Sequence, residues 1–234
     1  MLNILNYFKK APKFAVWHSH PHQRSQVLIT AGMHGDELSS IEAAKSLIKT
    51  YSGSLPITVV PILNPEGHKR GVSYNPLDNK DPIYLYPGSP FGSSTARLMH
   101  KVAKLTKGKK IWLDLHGGAK GEHLKPFIWA STPHPVLSYL DGRTLVELTY
   151  AKDVPYFIFE AGELGKIDQK YIALHLSWIK QVLDNLGKKA KPNWHPTYNQ
   201  IIYDKNVGQD ISVKNFLWSS PTYYISGLYD NISR

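Results

Sequence analysis

Gln26-Val27-Leu28-Ile29-Thr30-Ala31-Gly32-Met33-His34-Gly35-Asp36-Glu37 is the stretch that decides the fold. Its first half is a short, largely apolar run, and apolar residues at consecutive positions put hydrophobic side chains on both faces. Gln26 to Ala31 therefore reads as a strand covered from both sides. Its second half turns at glycine into Glu37 to Thr50, where Ile41, Ala44, Leu47 and Ile48 recur at three and four residues. That spacing draws an apolar stripe along one side of a helix. A covered strand leading straight into a helix that packs on it is the unit of a layered α/β sheet.

Outward from this unit the same alternation continues. Phe14 to His18, Ile57 to Leu63, Ile111 to Leu115, Pro126 to Ala130, Leu145 to Tyr150 and Tyr156 to Phe159 read as strands. Ser93 to Lys104 and Asp168 to Leu186 carry helical spacing. Between Asn64 and Pro90 stand five prolines and no sustained period, which predicts a long irregular loop walling a functional site. Trp194 to Arg234 is rich in Tyr, Ile and Val with turn residues between. The expected architecture is α/β, a mixed and mostly parallel sheet flanked by helices over residues 1–188. A small β-rich extension over residues 189–234 either stands apart or belongs to the same domain.

With 234 residues the chain has room for one domain of ordinary size plus a small appendage. Hydrophobic content of 42% and charged content of 20% fit a globular protein, and no apolar run approaches the roughly 18 residues of a membrane helix. The opening Met1-Leu2-Asn3-Ile4-Leu5-Asn6-Tyr7-Phe8 is short and polar for a signal segment, so a cytoplasmic protein is expected. With no cysteine, disulfides, thiolate metal sites and a cysteine nucleophile are excluded together. The formal charge of +10 is mostly scattered. Lys107-Gly108-Lys109-Lys110 and Gly187-Lys188-Lys189-Ala190-Lys191 fall where helical patterns end, and cations there complement the helix dipole. No nucleic-acid module accompanies them, so neither nucleic acid nor membrane is an expected partner. Steering of small anionic molecules is a better use of the surplus.

His34 and Glu37 lie three apart at the mouth of the predicted helix and can grip one ion together. His116 ends the strand from Ile111 and would close the site from elsewhere. Three nitrogen and oxygen ligands with a fourth position open for water describe a catalytic zinc site, one ion per chain. Asp114, two residues before His116, shares its side of the strand and could orient a ligand or simply satisfy a turn. Asp36 is read as the cap of the following helix. Activation of water needs a base, and Glu160 ends the apolar strand Tyr156 to Phe159. Glu163, three residues on, is its rival.

In order, His34-Gly35-Asp36-Glu37, Asn64-Pro65-Glu66-Gly67, Asp114-Leu115-His116-Gly117 and Glu160 resemble the zinc carboxypeptidase superfamily, in its succinylglutamate desuccinylase and aspartoacylase branch. The likeness spans roughly residues 25 to 186. It implies a mixed sheet between helices, zinc held by His34, Glu37 and His116, Glu160 as general base, and hydrolysis of an amide. The chain departs from that pattern in its loop. Where the family has an arginine, this chain has Ser73, and Ile83 and Tyr84 replace an Asn-Arg pair. A planar guanidinium that grips a carboxylate has no substitute in a tyrosine. Arg70 is the expected replacement, with Asn64 and Tyr84 beside the substrate. Lys80, Arg97 and Lys120 are the other cations within reach, unless the substrate lacks a free carboxylate. The expected activity is zinc-dependent cleavage of a small N-acyl amino acid or related compound, an anionic one among them. A metallocarboxypeptidase or cell-wall peptide amidase is the alternative enzyme, and a metal-binding homologue without turnover is the alternative outside enzymes.

Overall fold

The computed structural model describes residues 13–118, 125–147 and 153–197, together with the backbone of 201–204 and 209–213. Strands β1 (Trp17–His18), β2 (Val27–Ala31), β3 (Ile57–Val60), β4 (Ile111–Gly118), β5 (Phe127–Ala130), β6 (Arg143–Val146) and β7 (Tyr156–Glu163) form one sheet. Their order is β1-β3-β2-β4-β7-β5-β6. β3, β2, β4 and β7 run parallel, β1 and β5 are antiparallel to their neighbours β3 and β7, and β6 is parallel to β5. The expected mixed α/β sheet is thus the observed one. A further pair, β8 (Ile201–Asp204) and β9 (Gln209–Val213), is antiparallel and lies within the segment read as β-rich.

Alternate residues of the central strands feed two cores, because successive side chains point to opposite faces. Val27, Ile29, Leu113, Leu115, Phe157 and Phe159 are buried with helices α1 (Leu38–Thr50) and α4 (Gln169–Asn185). On the other face Leu28, Val60, Trp112, Tyr156 and Ile158 pack with Leu98, Met99 and Val102 of α3 (Ser94–Thr106). This two-sided cover is why β2 could be read from an unbroken apolar run. From β2 the chain crosses through α1 to β3 on one side, and later returns through α3 to β4 on the other. The carboxyl ends of β2 and β4 therefore flank a topological switch point, where open α/β sheets leave a crevice for ligands.

Several local expectations need correction. β1 is only two residues long, not the span from Phe14, with Trp17 and His18 paired to Val59 and Thr58 of β3. β3 stops at Val60 because Pro61 has no N–H to give the ladder. β6 starts and ends earlier than Leu145 to Tyr150, whose last three residues lie outside the described ones. The stretch from Asn64 to Pro90 is not wholly irregular. It contains α2 (Pro65–Arg70), capped by the Asn64 side chain and closed by Gly71 in the left-handed region, and a 3-10 turn over Pro82–Leu85 capped by Asp81. Six and four residues are too few for periodicity to register, although Asn-Pro and Asp-Pro are both helix-start signals. A second 3-10 turn, Pro135–Tyr139, was not anticipated. The two lysine clusters do follow α3 and α4. After α4 the chain lies back on the sheet layer: Tyr139 donates to the Lys189 carbonyl at 2.8 Å, Val146 N–H to the Thr197 carbonyl at 2.8 Å, and Trp194 packs on the first core.

Candidate metal centre

His34 leaves β2 through Ala31-Gly32-Met33, a connection pinned to the chain after β3 by Leu63 N–H to Ala31 O (2.9 Å) and Asn64 N–H to Gly32 O (2.8 Å). Gly35 sits against α2, and the His68 ring bonds the Gly35 carbonyl at 2.9 Å. A Cβ on Gly35 would stand 2.1 Å from both Gly67 C and His68 N. Only glycine fits there. Gly35→Ala must push α2 and the His34 loop apart, so a loss of about 2–3 kcal/mol is expected in denaturant unfolding. An unchanged midpoint would show that this contact does not fix the loop.

His34 Nδ1 lies 2.9 Å from Glu37 Oε1, and His116 Nδ1 lies 3.3 Å from the same oxygen. One ligand atom from each of His34, Glu37 and His116 falls within 4.8 Å of the others, so the three could hold a metal ion. The outer nitrogens are engaged as well: His34 Nε2 with Asp81 Oδ1 at 3.2 Å and His116 Nε2 with Asp114 Oδ2 at 3.0 Å. A carboxylate taking the outer N–H turns the Nδ1 lone pair inward and makes the ring a better donor to a metal.

Asp114 is fully buried and held by three partners, Thr30 Oγ (2.5 Å), Tyr156 Oη (2.7 Å) and His116. Trp112 Nε1 donates in turn to Thr30 Oγ at 2.7 Å. Hydroxyl donors reach both oxygens of Asp114 and it bonds the His116 ring, as the orienting reading expected; it lies inside β4, so there is no turn for it to satisfy. Asp36 does not cap α1. Its carboxylate accepts the Ser73 hydroxyl at 2.9 Å on both oxygens, and the N-cap is Glu37, whose side chain makes no capping bond because it turns to the histidines. Ser73, at the position of the expected arginine, thus ties the two loops together.

Charge balance supports a cation at the centre. Burial opposes protonation of His34, but the Glu37 and Asp81 carboxylates outweigh it and hold the ring well above the usual histidine value. His116 is raised in the same way against its burial by Glu37 and Asp114. Burial would raise Glu37, yet His116 and His34 bring it down to about 2. Glu37 Oε2 is buried with no hydrogen-bond partner, a costly state for a carboxylate oxygen that a metal ion would relieve. Nitrogen and oxygen donors in a three-residue set fit zinc with an open position.

Glu160 is not beyond its strand but inside β7, paired across the ladder with His116 and therefore on the same face. Glu163 ends that strand, 2.8 Å from Lys166 Nζ. Asn64 is buried, its oxygen accepting from Gly67 N–H at 3.0 Å and its amide donating to the Ser73 carbonyl at 3.4 Å, so it supports the wall of the site instead of lining it. Arg70 is exposed at the end of α2, and no hydrogen bond or ion pair among the described residues joins it to the cluster. Tyr84 lies in the 3-10 turn, partly buried against the second core, while Ile83 is buried within it. Lys80 is exposed, Arg97 Nη1 bonds the Gly92 carbonyl at 2.7 Å, and Lys120 lies outside the described residues. Sequence reading missed Asp81 as the partner of His34. Its one signal was an Asp-Pro pair in the proline-rich loop.

A family model described as the succinylglutamate desuccinylase/aspartoacylase catalytic domain matches residues 23–167, more than half of the chain. The N-alpha-acetyl-L-2,4-diaminobutyric acid deacetylase of Halomonas elongata is 27% identical over 135 residues, which are 56% of this chain and 39% of that protein. A crystal structure of an aspartoacylase family protein from Mesorhizobium loti has a TM-score of 0.62 at 20% identity, covering 81% of this chain and 65% of that one. The product-bound ectoine utilization protein of Ruegeria pomeroyi has a TM-score of 0.63 at 17% identity, covering 84% and 76%. The chain thus spans about two fifths of the curated relative, and the structural likenesses are likenesses of fold.

Proposed function

Because this chain belongs to the succinylglutamate desuccinylase/aspartoacylase catalytic-domain family, we propose that it is a zinc-dependent hydrolase cleaving the amide bond of a small N-acyl amino acid or related compound. The observation that carries the reading is the convergence of His34, Glu37 and His116 on one point, with Glu160 beside His116 on the same sheet face. His34, Glu37 and His116 hold the metal, one ion per chain. Bound there, zinc supplies Lewis acidity toward the amide carbonyl and toward water. Glu160 takes the proton of the attacking water and delivers it to the departing amine, the work of a general base and then acid. Asp81 and Asp114 hold the two rings in place from outside.

The substrate class follows the named activity of the Halomonas relative, which deacetylates an N-acetylated diamino acid. Arg70, exposed at the end of α2, remains the cation proposed for a substrate carboxylate, and Tyr84 a residue of the substrate wall. Asn64 acts through the wall it braces. The test is metal analysis of the purified protein followed by assay of N-acyl amino acids and short peptides with and without a chelator. One zinc per chain and chelator-sensitive release of an amine support the proposal. No chelator-sensitive hydrolysis across the panel would leave a metal-binding homologue without turnover.

Metal and protons compete for the same nitrogens. Both histidines are held well above the usual value, so protons compete for these nitrogens at higher pH than they would for ordinary histidines. Zinc affinity is expected to weaken as pH falls from about 8 to 6, by up to about 100-fold per unit when both rings must lose a proton. Competition with a coloured chelator measures it. A flat affinity over that range would remove these rings from the ligand set.

A further inference from the structure

β4 and β7 keep register through His116 and Glu160, then slip: Gly118 pairs with Glu163, so β7 spends three residues where β4 spends two. This is a β-bulge, one extra residue that locally breaks the ladder. Gly162 sits in it at φ +120, a conformation other residues avoid. Its consequence for the site is geometric. In a regular strand Glu160 and Glu163, an odd number apart, would point to opposite faces. With the extra residue between them, both share the face of His116.

The bulge is held from behind. His175, in the apolar stripe Ile172, Trp178, Ile179 and Val182 of α4, is fully buried, and its Nε2 lies 3.0 Å from the Ala161 carbonyl. Trp178 meets its ring edge to face at 6.0 Å. A carbonyl can only accept, so this contact places an N–H on Nε2. Apolar packing alone does not call for a histidine in this stripe, and the ring also reaches the backbone of His116 on β4, next to the bulge it holds.

We infer that His175 is a positioning residue: by donating to the Ala161 carbonyl it locks the β7 bulge and so fixes Glu160 toward the metal centre. This rests on the proposed hydrolase reading for its catalytic consequence, but the lock itself is a property of the protein with or without metal. Two variants separate donor from packing. His175→Leu keeps the apolar volume and removes the donor; His175→Gln returns an amide N–H at the reach of Nε2. In hydrogen exchange on metal-free protein, Leu164, whose N–H bonds the Gly118 carbonyl at 3.1 Å, reports the far side of the bulge. Exchange across Gly162 to Leu164 is expected to quicken about tenfold in His175→Leu, the equivalent of one hydrogen bond, and to return in His175→Gln, with β2 unchanged. In zinc-loaded protein kcat should fall about 10- to 100-fold in His175→Leu with KM and zinc content kept, and recover in His175→Gln. Unchanged exchange in His175→Leu overturns the lock. Quickened exchange with unchanged kcat overturns the positioning of Glu160. If the wild type hydrolyses nothing, the function proposal fails while the exchange result still decides the lock.

Discussion

His116→Ala is expected to yield protein with far less than one zinc per chain and no chelator-sensitive hydrolysis. His116 contributes Nδ1 to the cluster from the buried end of β4, and no other histidine among the described residues joins His34 and Glu37 there. Two ligands cannot complete the three-residue set of a catalytic zinc, and a lost ligand typically costs more than the 10- to 100-fold that a lost outer partner does. The change also reaches inward. Asp114 keeps Thr30 and Tyr156 but loses its third donor, and the ring leaves a cavity beneath a buried carboxylate. A stability loss of about 2–4 kcal/mol is therefore expected as well. Metal analysis after gel filtration separates the two effects, since folded but metal-poor protein is the anticipated product. A full metal load in folded His116→Ala would sink the ligand assignment.

Glu160→Ala should do the reverse, keeping about one zinc per chain while hydrolysis falls by about 10²–10⁴-fold. Glu160 is outside the three-residue cluster yet is the ladder partner of His116, so removing it takes the proton carrier and leaves the metal cage. The bulge makes Glu163 a real competitor, because it turns that carboxylate to the same face. Its position one rung further out and its ion pair with Lys166 at 2.8 Å argue for the lesser role. Parallel measurement of kcat and zinc content in Glu160→Ala and Glu163→Ala decides between them. Turnover that survives in Glu160→Ala and disappears in Glu163→Ala would move the base.

Where a signal is repeated over many residues, the sequence was a sufficient guide. Val27 to Ala31 with its two apolar faces, and the three-and-four spacing of α1 and α4, are local patterns imposed by burial, and each lies where it was read within a residue or two. Short elements carry no such redundancy. α2 and the 3-10 turn at Pro82 depend on single capping contacts from Asn64 and Asp81, so they were absorbed into a loop. The extra residue of β7 left one mark, Gly162, since a glycine inside a strand often signals a bulge, but which rung slips is set by the pairing with β4.

By itself the sequence determined the class of fold and the identity of the three converging side chains, because strand burial, helix periodicity and the chemistry of histidine and glutamate are properties of a residue and its near neighbours. Only the tertiary structure decided how the rings are held, which groups stand behind them and where Glu160 points. Asp81 meets His34 across 47 positions of chain, Thr30 meets Asp114 across 84, and His175 reaches β7 from a helix on the opposite face. Such pairings are fixed by strand order and by one slipped register, long-range consequences of packing that no local window contains.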